Sequence, residues 1–184
     1  ARLASELAPL LCERTTVMLN PGSTGGALEL RRVWDDYGVG AGVTLCETGT
    51  LCHCARAMGE RGVHIGLRVG HIAFAALPGS VTRALTEALR PLFPGLMPRH
   101  DVLEVALCNG NPVIHPAIFL GNLGAIESRG AEHRFYAEGV TPAVARVIEA
   151  VDRERLALGK ALGYELLTEP RMCIAQGYGH SEDY

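Results

Sequence analysis

Over the first half of the chain, apolar side chains fall into short β-rich runs alternating with helical stripes. Over the second half they fall into helical stripes alone. Leu3, Leu7, Leu10 and Leu11 share one helical face, and residues 15–19 are a short β-rich run. Asn20-Pro-Gly-Ser-Thr-Gly-Gly26 is a sharp turn that opens a second helix with Ala27, Leu28, Leu30, Val33 and Trp34 as its apolar positions. Ser23 or Thr24 is placed to cap that helix, Gly38 to Gly42 ends it, and residues 43–46 predict another strand. Two further runs, 63–68 and 71–75, are separated only by Val69-Gly70 and read as a hairpin or a pair of neighbouring strands. Strands alternating with helices predict an α/β sheet with parallel strands at its centre.

The texture changes after Pro78-Gly79. Val81, Leu85 and Leu89 lie on one helical face, and residues 91–98 read as a linker. From Asp101 onward the pattern predicts helices only. Asp101 with Glu104 resembles a capping box, Asn111-Pro112 suits an N-cap followed by the first helical position, and Thr141-Pro142 does the same for a long helix. That helix has Val144, Val147, Ile148, Val151, Leu158 and Leu162 as its predicted buried stripe, with Gly163 ending it and Glu149 placed to pair with Arg153. The expected fold class is therefore α/β followed by all-α, divided into residues 1–97 and 98–184.

Composition narrows the function classes. The 184 residues are 48% hydrophobic and 20% charged, with a net charge of −3, ordinary for a globular protein. The 17 basic and 20 acidic residues are interspersed, so no basic stripe points to nucleic acid. No apolar run approaches the roughly 20 residues of a membrane-spanning helix, so no membrane partner is expected. Without a signal-peptide pattern, the six cysteines read as reduced thiols of a cytoplasmic protein.

Three groups of residues have chemical potential. The turn at residues 20–26 joins the carboxyl end of a strand to a helix amino terminus, where open α/β sheets bind anionic ligands; tight packing alone would also explain its glycines. Gly22, Gly25 and Gly26 do not form G-x-G-x-x-G, and Gly38, Gly40 and Gly42 precede a strand, so neither run is a dinucleotide loop. Glu47, closing a strand, is either a holder of a cationic group or a solvated edge residue. Cys46, Cys52, His53 and Cys54 lack the spacing of a zinc site and read as packed thiols, so no metal is expected. His115 stands near a helix start after an irregular break, a setting for a proton carrier or for an ordinary surface imidazole. Asp152-Arg-Glu-Arg155 reads as a solvated helix face.

Taken in order, these residues resemble the opine dehydrogenase family: octopine and nopaline dehydrogenases and related N-(1-carboxyalkyl) amino-acid dehydrogenases. The resemblance runs through Leu19-Asn-Pro-Gly-Ser-Thr-Gly-Gly-Ala-Leu-Glu29, Glu47-Thr48 with Thr50-Leu51 and Arg56, and Ala76-Leu-Pro78. It continues through Asn111-Pro-Val-Ile-His-Pro-Ala117, Phe135-Tyr-Ala-Glu-Gly-Val-Thr-Pro142, Asp152-Arg-Glu-Arg-Leu156 and Lys160-Ala-Leu-Gly163. It implies the second half of a Rossmann-like NAD(P)-binding domain joined to a helical substrate and dimerisation domain. The implied reaction, with NAD or NADP as cofactor, is reductive condensation of an amino acid with a 2-oxo acid such as pyruvate, an oxidoreduction at CH–NH.

By resemblance, His115 is the catalytic acid/base, and Glu47 and Asn111 contact substrate. Asn20, Pro21 and Gly22 lie at the nicotinamide, and a homodimer is among the implied assemblies. His115 is expected to face the Asn20–Gly22 turn across a cleft. His53 stands where relatives commonly have Tyr. The family's glycine fingerprint precedes the Asn-Pro-Gly turn and its histidine pairs with a later Asp; neither is found in these residues, and Asp183 is not assigned that role. The chain therefore reads as part of a longer enzyme. Alternative readings are a non-catalytic remnant acting as a self-association module, or another two-domain dehydrogenase of 2-hydroxy or sugar acids. Of the latter, those with a catalytic lysine are disfavoured because Lys160 is the only lysine. One expectation is directly measurable: the 184 residues alone do not oxidise NAD(P)H with pyruvate and any amino acid. Condensation by the isolated chain would refute it.

Overall fold

A computed structural model describes residues 2–39 and 42–184; Gly40 of the expected glycine stop lies outside the described residues. Two compact units divide the chain. One comprises Ala1–Asn109 with Ala175–Gly177, the other Gly110–Ile174 with Tyr178–Tyr184.

The first unit is built on a four-stranded sheet ordered β1-β2-β5-β6, from β1 (Thr16–Leu19), β2 (Thr44–Thr48), β5 (Ile72–Leu77) and β6 (Leu96–Pro98). Helix α2 (Gly26–Asp36) carries the chain from β1 to β2, and α3 (Thr82–Leu89) carries it from β5 to β6; both strand pairs are parallel, as such crossovers allow. The centre is different. β2 and β5 run antiparallel, with Glu47 opposite Ala75, against the expectation of parallel strands there. The reason lies in residues 49–71, which hold no crossover helix. They form a hairpin of β3 (His53–Met58) and β4 (Gly62–Arg68) that returns the chain to the same end of the sheet. Run 63–68 thus pairs with β3, which lacks a strong apolar signature, and not with run 71–75.

β5 is buried along most of its length, as expected for a central strand. Ile72, Phe74 and Ala76 join Cys46, Cys52, Val69 and Leu96 in one core, with Leu85, Leu89 and Phe93 packed on it. The expected linker at 91–98 supplies β6 and hence part of that core. At the amino terminus, Ala4 and Ala8 of α1 (Arg2–Leu7) and its 3-10 extension are buried, whereas Leu3 and Leu10 are exposed. Small residues let this segment lie close to α2, whose Trp34 indole donates to the Ala4 carbonyl at 3.0 Å. Helix α2 stops at Asp36, and Gly38 follows with φ +66°, which glycine adopts at little cost. Helix α4 (Val102–Leu107) belongs to the sheet unit because it packs on β5 and β2, which places the division of compact units after 97/98. Asp101 caps α4 through the Leu103 and Glu104 amides, and Glu104 reaches back to the His100 amide at 2.7 Å.

The second unit is helical: α5 (Asn111–Gly121), α6 (Leu123–Arg129), α7 (Pro142–Ala161) and, up to Ile174, α8 (Glu169–Gln176). Val113 and Ile118 of α5 pack with Val144 and Ile148 of α7. Gly110 is the N-cap of α5 and Asn111 its first residue, so the cap lies one position earlier than expected. Thr141 caps α7 by accepting from the Val144 amide, with Pro142 in the first helical turn.

The buried face of α7 departs from its apolar stripe. It consists of Val144, Ile148, Asp152, Arg155 and Gly159, while Val147 is 51% exposed and Leu158 52%. Arg153 and Glu154 are solvated, but Asp152 and Arg155 are not, which corrects half of the expected solvated face. Asp152 accepts from Arg155 Nε (2.7 Å), the Glu169 amide (2.8 Å) and the Tyr184 hydroxyl (2.6 Å), and Arg155 also donates to the Leu167 carbonyl (2.6 Å). These bonds tie the start of α8 to the middle of α7. Truncating one member of a buried ion pair leaves the other charge uncompensated, so Asp152→Ala is expected to cost about 3–5 kcal/mol in urea unfolding. A loss below about 1 kcal/mol would contradict the assigned role.

Candidate functional site

Asn20, Pro21, Gly22 and Glu47 come together within the first unit; Asn111 and His115 lie on the same helix in the second. Each set is built by its own local structure.

The turn after β1 is stitched to the carboxyl end of β2. The Gly22 amide donates to the Thr48 carbonyl at 3.0 Å, and Asn20 Oδ1 accepts from the Cys52 amide at 3.2 Å. The Thr48 hydroxyl lies 3.3 Å from Asn20 Oδ1 and 3.4 Å from the Leu19 carbonyl. Asn20 thus spends its side-chain oxygen on shaping the segment between β2 and β3. Thr24 accepts from Asn109 Nδ2 at 3.3 Å, so the far side of the turn is fastened as well. Nothing in the sequence pointed to these bonds of Thr48 and Asn109, since their partners lie many residues away.

Helix α2 begins without a side-chain cap from its own turn: Gly25 is the N-cap, and neither Ser23 nor Thr24 bonds the first amides. Glu47 does so from the neighbouring strand, its Oε2 accepting from the Ala27 amide at 2.7 Å. The carboxyl is completely buried, so the solvated-edge alternative is excluded, and Oε1 has no hydrogen-bond partner among the described residues. A Cβ at Gly22 would fall inside the space of this carboxyl, which explains glycine there. Burial pushes the Glu47 pKa up to about 7, opposed by the Ala27 amide, which favours the charged form. Cys46 and Cys52 are buried in the sheet core, and burial lifts the Cys46 thiol to about 12, a packed and unreactive state.

In the second unit, Asn111 and His115 are four residues apart on α5, one helical turn along the same side. The His115 ring is half-buried against Phe135 and Tyr136, with both ring centroids at 5.9 Å. Its Nε2 lies 2.7 Å from the Tyr136 hydroxyl. Sequence reasoning passed over Tyr136; its only trace was its place in the Phe135-Tyr-Ala-Glu-Gly run.

Glu47 generates a measurable pH dependence. Its folded pKa lies above the ordinary carboxylate range, so folding takes up a proton between about pH 4.5 and 7. The stability held below that window declines as pH rises through it, by up to about 3 kcal/mol. Glu47→Gln retains an acceptor for Ala27 and cannot ionise. Thermal melts should show the stability of the glutamine variant relative to wild type increasing from pH 5 to pH 8. A difference that stays constant with pH would contradict the buried, proton-binding carboxyl.

Comparison with known proteins adds a lineage. Residues 98–184 match the family described as NAD/NADP octopine/nopaline dehydrogenase, alpha-helical domain. An opine dehydrogenase of Arthrobacter sp. (strain 1C) is 34% identical over 183 residues, covering 98% of this chain and 50% of that protein. A vitopine synthase of Allorhizobium ampelinum is 35% identical over 125 residues, 67% of this chain and 34% of that protein. This chain therefore spans half or less of the curated relatives it matches. Among solved structures, apo yersinopine dehydrogenase superposes with a TM-score of 0.75 at 16% identity, covering 91% of this chain and 42% of that one. An octopine dehydrogenase in complex with NADH and agmatine gives 0.71 at 20% identity, with 94% and 46% covered. At these identities the structural likeness speaks for the fold, the second half of a Rossmann-like domain followed by a helical domain. Residues 98–184 are thus similar to the alpha-helical domain of octopine/nopaline dehydrogenases, and nearly the whole of this chain is similar to half of an opine dehydrogenase.

Proposed function

We propose that these residues form part of an opine-type dehydrogenase that joins an amino acid to a 2-oxo acid through a secondary amine, using NAD or NADP. The observation that carries the reading is the 34% identity to an opine dehydrogenase along 98% of the chain. Relatives in solved structures are described with NADP+, with NADH and L-arginine, and with NADH and pyruvate, which supports the same substrate classes here. Among the described residues no helix is long and apolar enough to cross a membrane.

His115 is the proposed proton carrier. The amine attacks the oxo-acid carbonyl carbon, forming the new C–N bond, and the resulting carbinolamine loses its hydroxyl as water when the imidazolium supplies a proton. Imidazole suits this step because it both holds and releases a proton near neutral pH. Asn111, one turn earlier on α5, is placed to orient a polar group of the substrate. A bound nicotinamide dinucleotide supplies the hydride that reduces the C=N bond.

The residues of the first unit suit one end of that dinucleotide. Asn20, Pro21 and Gly22 offer the nicotinamide end a fixed turn, and an added Cβ at Gly25 would meet nothing within 4 Å, which marks an open side. Glu47 already occupies the amino terminus of α2, so this turn is unsuited to the diphosphate.

The test uses the complete reading frame that encodes these residues. With NAD(P)H, pyruvate and a panel of amino acids, His115→Gln should lower kcat by roughly 100- to 10,000-fold while the protein still binds the dinucleotide. Unchanged turnover in that variant would overturn the reading.

A further inference from the structure

Helix α5, which carries His115, has no Asp, Glu, Lys or Arg between Asn111 and Gly121. Its inner side is accounted for by Val113 and Ile118, buried against α7. Its outer side is apolar as well: Pro112, Pro116, Phe119 and Leu120 are exposed, Phe119 at 46%. A surface helix ordinarily turns charged and polar residues outward, so an outward face of this kind marks a surface made to be covered. His115 lies at the edge of that face. Phe119 follows it by four residues, one helical turn of about 5.4 Å along the same side. The imidazole also borders Phe135 and Tyr136, whose rings meet edge-on with centroids 5.1 Å apart. Arg134 and Glu138, which flank that aromatic pair in sequence, are paired with each other at 2.9 Å.

Resting on the proposed role of His115, we propose that the outer face of α5 receives the side chain of the amino-acid substrate, that this substrate is an amino acid with an apolar or aromatic side chain, and that Phe119 selects it. The reacting bonds fix the distance. The nitrogen that attacks the oxo acid lies within reach of the imidazole that moves its proton. The substrate's Cα is one bond from that nitrogen and its Cβ two, so the side chain departs from beside His115. Phe119, a single turn further along, stands where a side chain of a few carbons ends. An apolar chain laid there removes both its own surface and that of Phe119 from water. A guanidinium, ammonium or carboxylate laid there gives up hydration with no counter-charge on α5 to replace it.

The complete reading frame, assayed with NAD(P)H and pyruvate, tests this with norleucine, methionine and phenylalanine against lysine, arginine and glutamate. kcat/KM for the apolar set should exceed that for the charged set by roughly 100-fold. Phe119→Ala, at a half-exposed helix position, should lower kcat/KM for norleucine and phenylalanine by roughly tenfold, chiefly through KM. Alanine, too short to reach position 119, should stay within about twofold. Phe119→Glu should raise lysine relative to norleucine by at least about tenfold. The inference is overturned if the wild-type enzyme prefers the charged set, or if Phe119→Ala lowers alanine and norleucine equally. No turnover with any amino acid would overturn the dehydrogenase reading and this inference together, whereas a working enzyme without the ranking overturns the inference alone.

Discussion

A buried carboxyl beneath a glycine turn sets the geometry of the first unit. Glu47 stands where the carboxyl ends of two parallel strands meet the start of α2, and it accepts the Ala27 amide that the helix's own turn leaves unbonded. That contact requires glycine at position 22, since any side chain there would occupy the carboxyl's space. It also requires Thr48 and Asn20 to hold the strand ends together, because a buried acceptor is useful only if its donor is fixed. The turn is thus a stitched structure whose members come from three separate stretches of chain.

The second unit uses the same device in another place. Asp152 is fully buried and accepts three bonds, two of them from outside α7. Satisfying this carboxylate and its Arg155 partner rotates α7 so that positions 152, 155 and 159 face inward. Val151 and Leu158 are left towards solvent as a consequence. At the other end of the same core, α5 packs through Val113 and Ile118, and its His115 ring meets Phe135 and Tyr136. The ion-pair network on α7 and the imidazole on α5 therefore share one scaffold.

These two carboxylates explain which parts of the molecule were legible in the sequence. Helix starts such as Thr141-Pro142 and Asp101 were legible because the capping atoms lie within three residues of the amides they satisfy. The α/β-then-α order was legible from periodicity, as was a strand at 71–75, which the structure places at Ile72–Leu77. The cap of α2 was not, because its acceptor is twenty residues away on another strand. The buried face of α7 was misplaced because periodicity counts apolar residues, and here an aspartate and an arginine are inside. The antiparallel centre of the sheet was missed for a related reason: β3, with Arg56 and two exposed alanines, carries little apolar signal, so its partner β4 was assigned to the wrong neighbour. His115 stood out by residue type and setting; Tyr136, whose hydroxyl lies at its Nε2, did not, since a lone tyrosine in a turn has no period to betray it.

The position of Glu47 also determines what the turn presents to a ligand. A helix amino terminus carries a partial positive charge that favours anions. An ionised Glu47 neutralises that potential, whereas a protonated one leaves much of it exposed. With burial raising its pKa to about 7, both forms are populated near neutral pH. A negative group brought to the turn and a proton on Glu47 therefore favour each other: the anion raises the carboxyl's proton affinity, and the proton strengthens the field that draws the anion. By linkage the two effects are equal in free energy. The potential at this turn is accordingly tied to a proton, and uncharged groups such as Asn20 and the backbone amides supply the part that pH does not change.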